Sequence, residues 1–172
     1  DLNPFVYMLD ELSFWKGNPF LIPSLTQRFT LLYSLKSSTI IALTYAYTDQ
    51  LNAKVTDTLE QDKIMMISKN VGTQNHWSLS LTQTYSPKPW WDITFNGLLY
   101  YIHNDVSFDQ YRDLSIKQTA GRVSLVQTFK LPLKIRGELS TVYNSKRLSG
   151  ANTISRPISQ VDIALQKPIL KD

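Results

Sequence analysis

Between Thr39 and Asp49 apolar residues alternate with small uncharged ones. Ile41, Leu43, Tyr45 and Tyr47 share one parity, and Ala42, Thr44, Ala46 and Thr48 the other. Successive side chains of a strand point to opposite faces, so this run has one greasy and one mildly polar side. A strand facing bulk water normally carries Lys, Glu and Arg on its wet side. Here that side carries none. Such a run suits a wall whose apolar face meets lipid and whose polar face lines a wet lumen.

The pattern repeats along the chain. Trp77, Leu79, Leu81 and Tyr85 oppose Ser78, Ser80, Thr82 and Thr84. Trp91, Ile93, Phe95, Leu99 and Tyr101 oppose Asp92, Thr94, Asn96 and Leu98. Val123, Leu125, Phe129 and Leu131 oppose Ser124 and Thr128, with Val126 and Gln127 breaking the rule. From Leu133 to Tyr143, Leu133, Ile135, Leu139 and Tyr143 oppose Lys134, Arg136, Glu138 and Ser140. A first run holds Phe29, Leu31 and Tyr33, and a last one Val161, Ile163 and Leu165. The reading is all-β: an antiparallel up-and-down meander of about seven strands, with no helix, forming a segment of a transmembrane β-barrel.

Aromatic spacing gives a length scale. Trp77 and Tyr85 are eight residues apart, and Trp91 and Tyr101 ten. At ~3.3 Å per residue and a tilt of about 40°, this spans roughly 20 to 25 Å along the membrane normal, close to the ~25 Å apolar band of an outer-membrane barrel. Tyr45, Tyr47, Trp77, Tyr85, Trp90, Trp91, Tyr101 and Tyr143 are the expected interfacial girdle. The connections alternate in length. Lys36 to Ser38, Ser86 to Pro89 and Lys130 to Pro132 read as tight links, and Leu51 to Lys63, Asn104 to Ser115 and Asn144 to Arg156 as long loops. Outer-membrane barrels keep short turns in the periplasm and long loops outside. The strand from Gln27 then runs toward the periplasm, and the one from Thr39 outward.

A chain of 172 residues fits one domain. It has no run of about 18 apolar residues, which excludes a transmembrane helix and says nothing against a barrel. Cysteine is absent, so there is no disulfide framework or thiolate metal site. The net charge of +4 is spread along the chain rather than grouped, which argues against a nucleic-acid surface. Charged residues make up 19%, below the usual quarter, and the deficit falls in mid-strand. Residues 1–24 read as an extracellular loop segment and 25–170 as the meander. The chain opens within a loop and stops after a strand, so an excised fragment is expected.

The first segment reads Leu2-Asn3-Pro4-Phe5, then Gly17-Asn18-Pro19-Phe20-Leu21-Ile22-Pro23. Later come Thr44-Tyr45-Ala46-Tyr47-Thr48, Asn70-Val71-Gly72, Leu79-Ser80-Leu81, Pro89-Trp90-Trp91 and Val161-Asp162-Ile163-Ala164-Leu165-Gln166-Lys167. This resembles, over nearly the whole chain, the outer-membrane β-barrel family of Bacteroidetes-type bacteria, the barrel portion of TonB-dependent receptor-like proteins. Ser24 stands where that family more often has an acidic residue. The resemblance implies a bacterial outer-membrane receptor or transporter for a glycan, peptide or siderophore. Its barrel would be about 22-stranded and closed by a plug domain that this chain lacks. The implied partners are the lipid bilayer, the rest of the barrel, the plug, the TonB system and a surface lipoprotein, and no nucleic acid.

Chemistry-bearing clusters are sparse. Asn3-Pro4 and Gly17-Asn18-Pro19 read as turn chemistry. His76 and His103 have no local company that would complete a metal site. No nucleophile elbow or nucleophile–His–carboxylate grouping is present, so no catalytic, cofactor or metal residue is assigned and the chain is not expected to be an enzyme. Asp109 and Asp113 with Arg112 read as a solvated turn. Lys134, Arg136 and Glu138 alternate on the lumen side. Ligand contacts are assigned to Phe108, Tyr111, Arg112, Asn144 and Asn152, because rigid barrels carry recognition on their loops.

Two other readings share the alternation. A soluble barrel or sandwich binding module would bury Ile41, Leu43, Leu79, Leu81, Ile93 and Phe95 around an apolar interior. A surface scaffold would use the same barrel without transport.

Overall fold

The computed structural model describes residues 2–36, 38–60, 63–107, 113–149 and 153–168. It contains thirteen strands among the described residues: β1 (Val6–Met8), β2 (Ser13–Lys16), β3 (Leu25–Leu35), β4 (Thr39–Asp49), β5 (Asn52–Glu60), β6 (Lys63–Asn70), β7 (Gly72–Lys88), β8 (Trp91–Ser107), β9 (Asp113–Lys130), β10 (Arg136–Asn144), β11 (Arg147–Ser149), β12 (Thr153–Ser155) and β13 (Ile158–Gln166). Seven of these form one sheet in the order β13-β10-β9-β8-β7-β4-β3. Every neighbouring pair is antiparallel. Those seven are the runs whose binary pattern marks them, so the expected meander is the observed one.

The links differ in detail from the pattern. β7 does not stop at Ser86 but continues to Lys88, and the turn is Pro89–Trp90. Tyr85 faces Ile93 and Lys88 faces Trp91, so β7 carries a bulge between them. That bulge holds Pro87, which has no N–H to give a regular ladder. The strand expected from Leu133 starts only at Arg136. Leu133 and Lys134 have φ of 61° and 58°, and the Ile135 amide donates to the Pro132 carbonyl at 3.3 Å. Two consecutive positive φ values in a four-residue turn give the type I′ geometry that matches the twist of a hairpin. Lys134 therefore sits in the turn rather than on the inner face of a strand.

The long connections are also more ordered than loops. Within the first of them, β5 and β6 pair antiparallel. The first segment folds as the β1–β2 hairpin, and β2 adds parallel to β6, giving a four-stranded sheet β1-β2-β6-β5. Residues 104–107 and 113–115 extend β8 and β9, and β11–β12 is a small hairpin within 144–156.

β7 and β8 have 17 residues each and β9 has 18. At ~3.3 Å per residue and a tilt of about 40°, such strands rise roughly 43 to 45 Å, well beyond a ~25 Å apolar band. The excess lies at the end of the long connections. There Ala53, Val71 and Val106 form the one cluster of buried hydrophobics among the described residues, with Leu51 and Ile116 against it. Gly72 makes this junction possible. Its φ is +142°, and a Cβ there would lie 2.0 Å from the Asp105 carbonyl oxygen. Only glycine lets the chain leave β6 and enter β7 this close to β8.

Candidate functional site: two faces of one wall

The register places side chains in rows across the strands. Leu31, Leu43, Leu79 and Leu99 face one another in succession through β3, β4, β7 and β8. Toward the short turns, Tyr33, Ile41, Leu81, Gly97, Val123 and Tyr143 make the next row but one of the same face. The Phe95 ring lies 3.1 Å from where a Gly97 Cβ would be and fills the gap in that row. None of the residues that a soluble module would bury is buried. Leu43 and Leu79 are 44% and 47% exposed. Among the described residues no second layer packs over this face, so its apolar surface is open rather than a core.

Aromatic side chains edge this belt. Phe29, Tyr45, Trp77 and Tyr101 form one continuous row. The Tyr45 and Trp77 rings are 4.4 Å apart, and the Tyr45 hydroxyl donates to Asn75 Oδ1 at 3.0 Å, pointing its polar end away from the belt. Tyr47 lies two pairs further out, opposite Asn75 and Gln27. At the short-turn end Trp90, Trp91 and Phe129 stack on one another with centroids 6.1 to 6.4 Å apart, and Tyr85 precedes them on β7.

Tyr143 is in register with Gly97, four residues nearer the short turns than Tyr101 (101 − 97). The short turns step the same way. The Leu35–Thr39 pair closing β3–β4 is in register with Phe95, four residues inside the start of β8 at Trp91 (95 − 91). A sheet tilted by about 40° shifts a constant height by about one residue per strand, about two over the two strands involved, so the tilt accounts for the sense of both offsets and for about half of their size. Phe29 and Phe129 join the expected aromatic set. Their parity relative to Tyr45 and Trp91 was the signal that would have found them.

The opposite face is held by polar cross-strand pairs. The hydroxyls of Thr26 and Thr48 hydrogen-bond at 2.9 Å, and those of Thr30 and Thr44 at 3.1 Å. Thr82 donates to Asn96 at 3.0 Å, and Gln74 to Asn104 at 2.9 Å. Arg28, His76, Arg122, Arg136 and Glu138 share this face. It is not wholly polar: Leu32, Ile40 and Leu98 also point this way, Leu32 at 63% exposure.

Of the assigned ligand contacts, Phe108, Tyr111, Arg112 and Asn152 lie outside the described residues, as does Asp109. Asn144 ends β10, opposite Arg122 and Ile158. The histidines fall on opposite faces, His76 beside Tyr100 on the polar face and His103 on the other. His103 Nε2 lies 2.9 Å from Ser115 Oγ and 3.1 Å from Asp105 Oδ1, while Ser115 donates to Asp105 at 2.8 Å. A proton relay needs the acid on one ring nitrogen and the nucleophile on the other. Here both meet Nε2, so the trio is a closed hydrogen-bond triangle.

The motif asparagines tie the first segment down. Asn3 and Asn18 accept from the amides of Phe5 (3.2 Å) and Phe20 (3.0 Å), and Asn18 also donates to the Ser68 carbonyl (3.0 Å). Asn70 accepts from the Ile22 amide and donates to the Ile22 carbonyl, both at 2.8 Å. Turn chemistry is what these residues perform. In the same segment Asp10 accepts from the Leu12 amide at 2.9 Å, which holds its carboxyl below the usual carboxylate range.

The model of the Outer membrane protein beta-barrel family matches residues 1–172. No curated protein and no solved structure matches the chain.

Proposed function

Because the chain belongs to that outer-membrane β-barrel family and resides in the bacterial outer membrane, we propose that it forms part of the wall of a TonB-dependent receptor-type transporter. The cargo is a nutrient such as a glycan, a peptide or a siderophore. The observation that carries this is the pairing of an unpartnered apolar face, edged by aromatics, with an inner face laced by hydroxyl and amide pairs. A wall of this kind separates lipid from a water-filled, lined lumen. Exposed apolar residues on the inner face, Leu32 foremost, favour something seated in the lumen, such as a plug domain.

Strand direction bears on how the barrel closes. Six antiparallel steps separate β3 from β13, so the two edge strands run the same way. They cannot close on each other antiparallel. A second copy in the same membrane orientation meets the same obstacle. An odd number of further strands completes an antiparallel barrel, and this supports the rest of the barrel as a partner. The closed His103–Asp105–Ser115 triangle supports a role without catalysis.

The test follows uptake in cells with and without the gene for this protein. Radiolabelled oligosaccharide, peptide and ferric siderophore are supplied with and without a protonophore. Energy-dependent uptake of one class, lost on deletion, is the expected result. Uptake of all three that is unchanged by deletion refutes the proposal. Single cysteines at Leu43, Thr44, Leu81, Thr82, Phe95 and Thr94 separately test the faces in outer-membrane fractions. A water-soluble maleimide should reach the threonines alone.

A further inference from the structure

The short-turn end of the wall carries a cationic grouping outside the two faces described above. Arg136 is in register with Lys130 on one side and Gln166 on the other, so three strands present two cations and an amide in one row. Lys130 is engaged by Asp92 at 2.8 Å. Among the described residues, Arg136 and Lys134 have no carboxylate within ion-pair distance. Glu138, the next acid on the same face of β10, sits two pairs further in, opposite Thr128 and Ala164. Lys134, Arg136, Gln166 and Pro168 line an open recess of about 230 Å³.

The turn that delivers Lys134 is built against local preference. Leu133 and Lys134 both occupy the left-handed region, where a hairpin turn ordinarily takes Asn-Gly. Backbone strain of this kind clusters at sites where a side chain has to be aimed. The recess offers donors in excess: a guanidinium fork, an ammonium and an amide. Arg binds phosphate oxygens bidentately and Lys adds a point charge, a pairing suited to a phosphate group.

We propose that this recess binds a phosphate group. It comes either from the headgroup of a phospholipid in the facing leaflet or from a free phosphorylated solute. In the first case the acyl chains lie on the outer face, where Leu131 and Leu165 flank Gly137, and the headgroup reaches round the short-turn rim to the recess.

The test is an NMR titration of the full chain, ¹⁵N-labelled in non-ionic micelles at constant ionic strength. Sodium phosphate and dihexanoyl phosphatidylglycerol are added separately, and the amides of Ile135, Arg136 and Gln166 are read. Saturable shifts are expected, weakened at least tenfold in K134Q/R136Q. They should survive in the charge-retaining K134R/R136K and in K36Q, which removes a cation from another short turn. Saturation by the lipid alone assigns the headgroup, and equal saturation by both assigns the free phosphate. The proposal is overturned if neither probe saturates, or if K134Q/R136Q binds like the wild type while its spectrum shows the same fold.

Discussion

The arrangement of the two faces is tested most sharply by one arginine placed at two adjacent positions. Leu81 lies midway between Trp77 and Tyr85 on the apolar face of β7, four residues from each. That is about 13 Å along the strand and about 10 Å along the normal at a ~40° tilt, so Leu81 sits at the centre of the belt. Its partner in β8 is Gly97, whose gap the Phe95 ring fills, but Leu81 points outward from a face with no described layer packed over it, so a longer side chain can extend away from the sheet. Steric conflict therefore contributes little to the cost of Leu81→Arg, and what remains is the transfer of a guanidinium from water to hydrocarbon. At the midplane of a barrel this costs about 2–4 kcal/mol. The equilibrium between folded and unfolded forms should fall by roughly 30- to 900-fold. Ser80→Arg, one residue away, turns the same charge toward the polar face between Ala42 and Leu98 and should cost less than about 1 kcal/mol. Both variants are refolded into phosphatidylcholine vesicles and titrated with guanidinium, with tryptophan fluorescence as the signal. Equal costs, or a larger cost at Ser80, would refute the assignment of the outer face.

Three further outcomes follow from the geometry. Gly72→Ala forces a side chain onto the Asp105 carbonyl at an unfavourable φ, and should cost more than about 2 kcal/mol; hydrogen exchange should rise first at the Val71 and Ser107 amides. Leu133→Asn relieves a left-handed leucine in an exposed turn, and should raise stability by about 0.5–1 kcal/mol in the same titration. Asp92→Asn breaks a solvent-screened ion pair with Lys130 and should lower stability only slightly in the same titration, with the difference shrinking as salt is raised.

The meander was legible because period-two alternation fixes both the existence of a strand and which side chains share its face. The seven runs read from Phe29 to Leu165 are the seven strands of the large sheet. Their ends were less legible. The Leu133–Lys134–Ile135 stretch continues the alternation of β10 without Gly or Asn, so nothing local marks the turn made there by positive φ. Pro87 reads as a strand breaker, yet a bulge accommodates it and β7 continues. The stretch from Leu51 to Lys63 carries Lys54, Asp57, Glu60 and Lys63 and reads as loop. Most of it is instead β5, paired with β6 beyond the belt, where charge is no obstacle to pairing. Parity separated the polar face from the apolar one, but the apolar members of the polar face, Leu32 and Ile40, were outweighed by the threonines around them. Of the five assigned ligand contacts, only Asn144 falls within the described residues. Recognition assigned to loops rests on where loops lie rather than on any pairing that the chain itself specifies.

All neighbours in the large sheet are consecutive members of its meander. Such a wall has a simple evolutionary arithmetic. Copying or deleting one hairpin adds or removes two adjacent strands, restores the same edge directions and rethreads nothing, whereas gaining or losing one strand inverts the polarity of everything after it. Lineages built this way can widen or narrow a pore in steps of two while keeping every existing contact, and the parity of the strand count becomes a trait that descends almost unchanged.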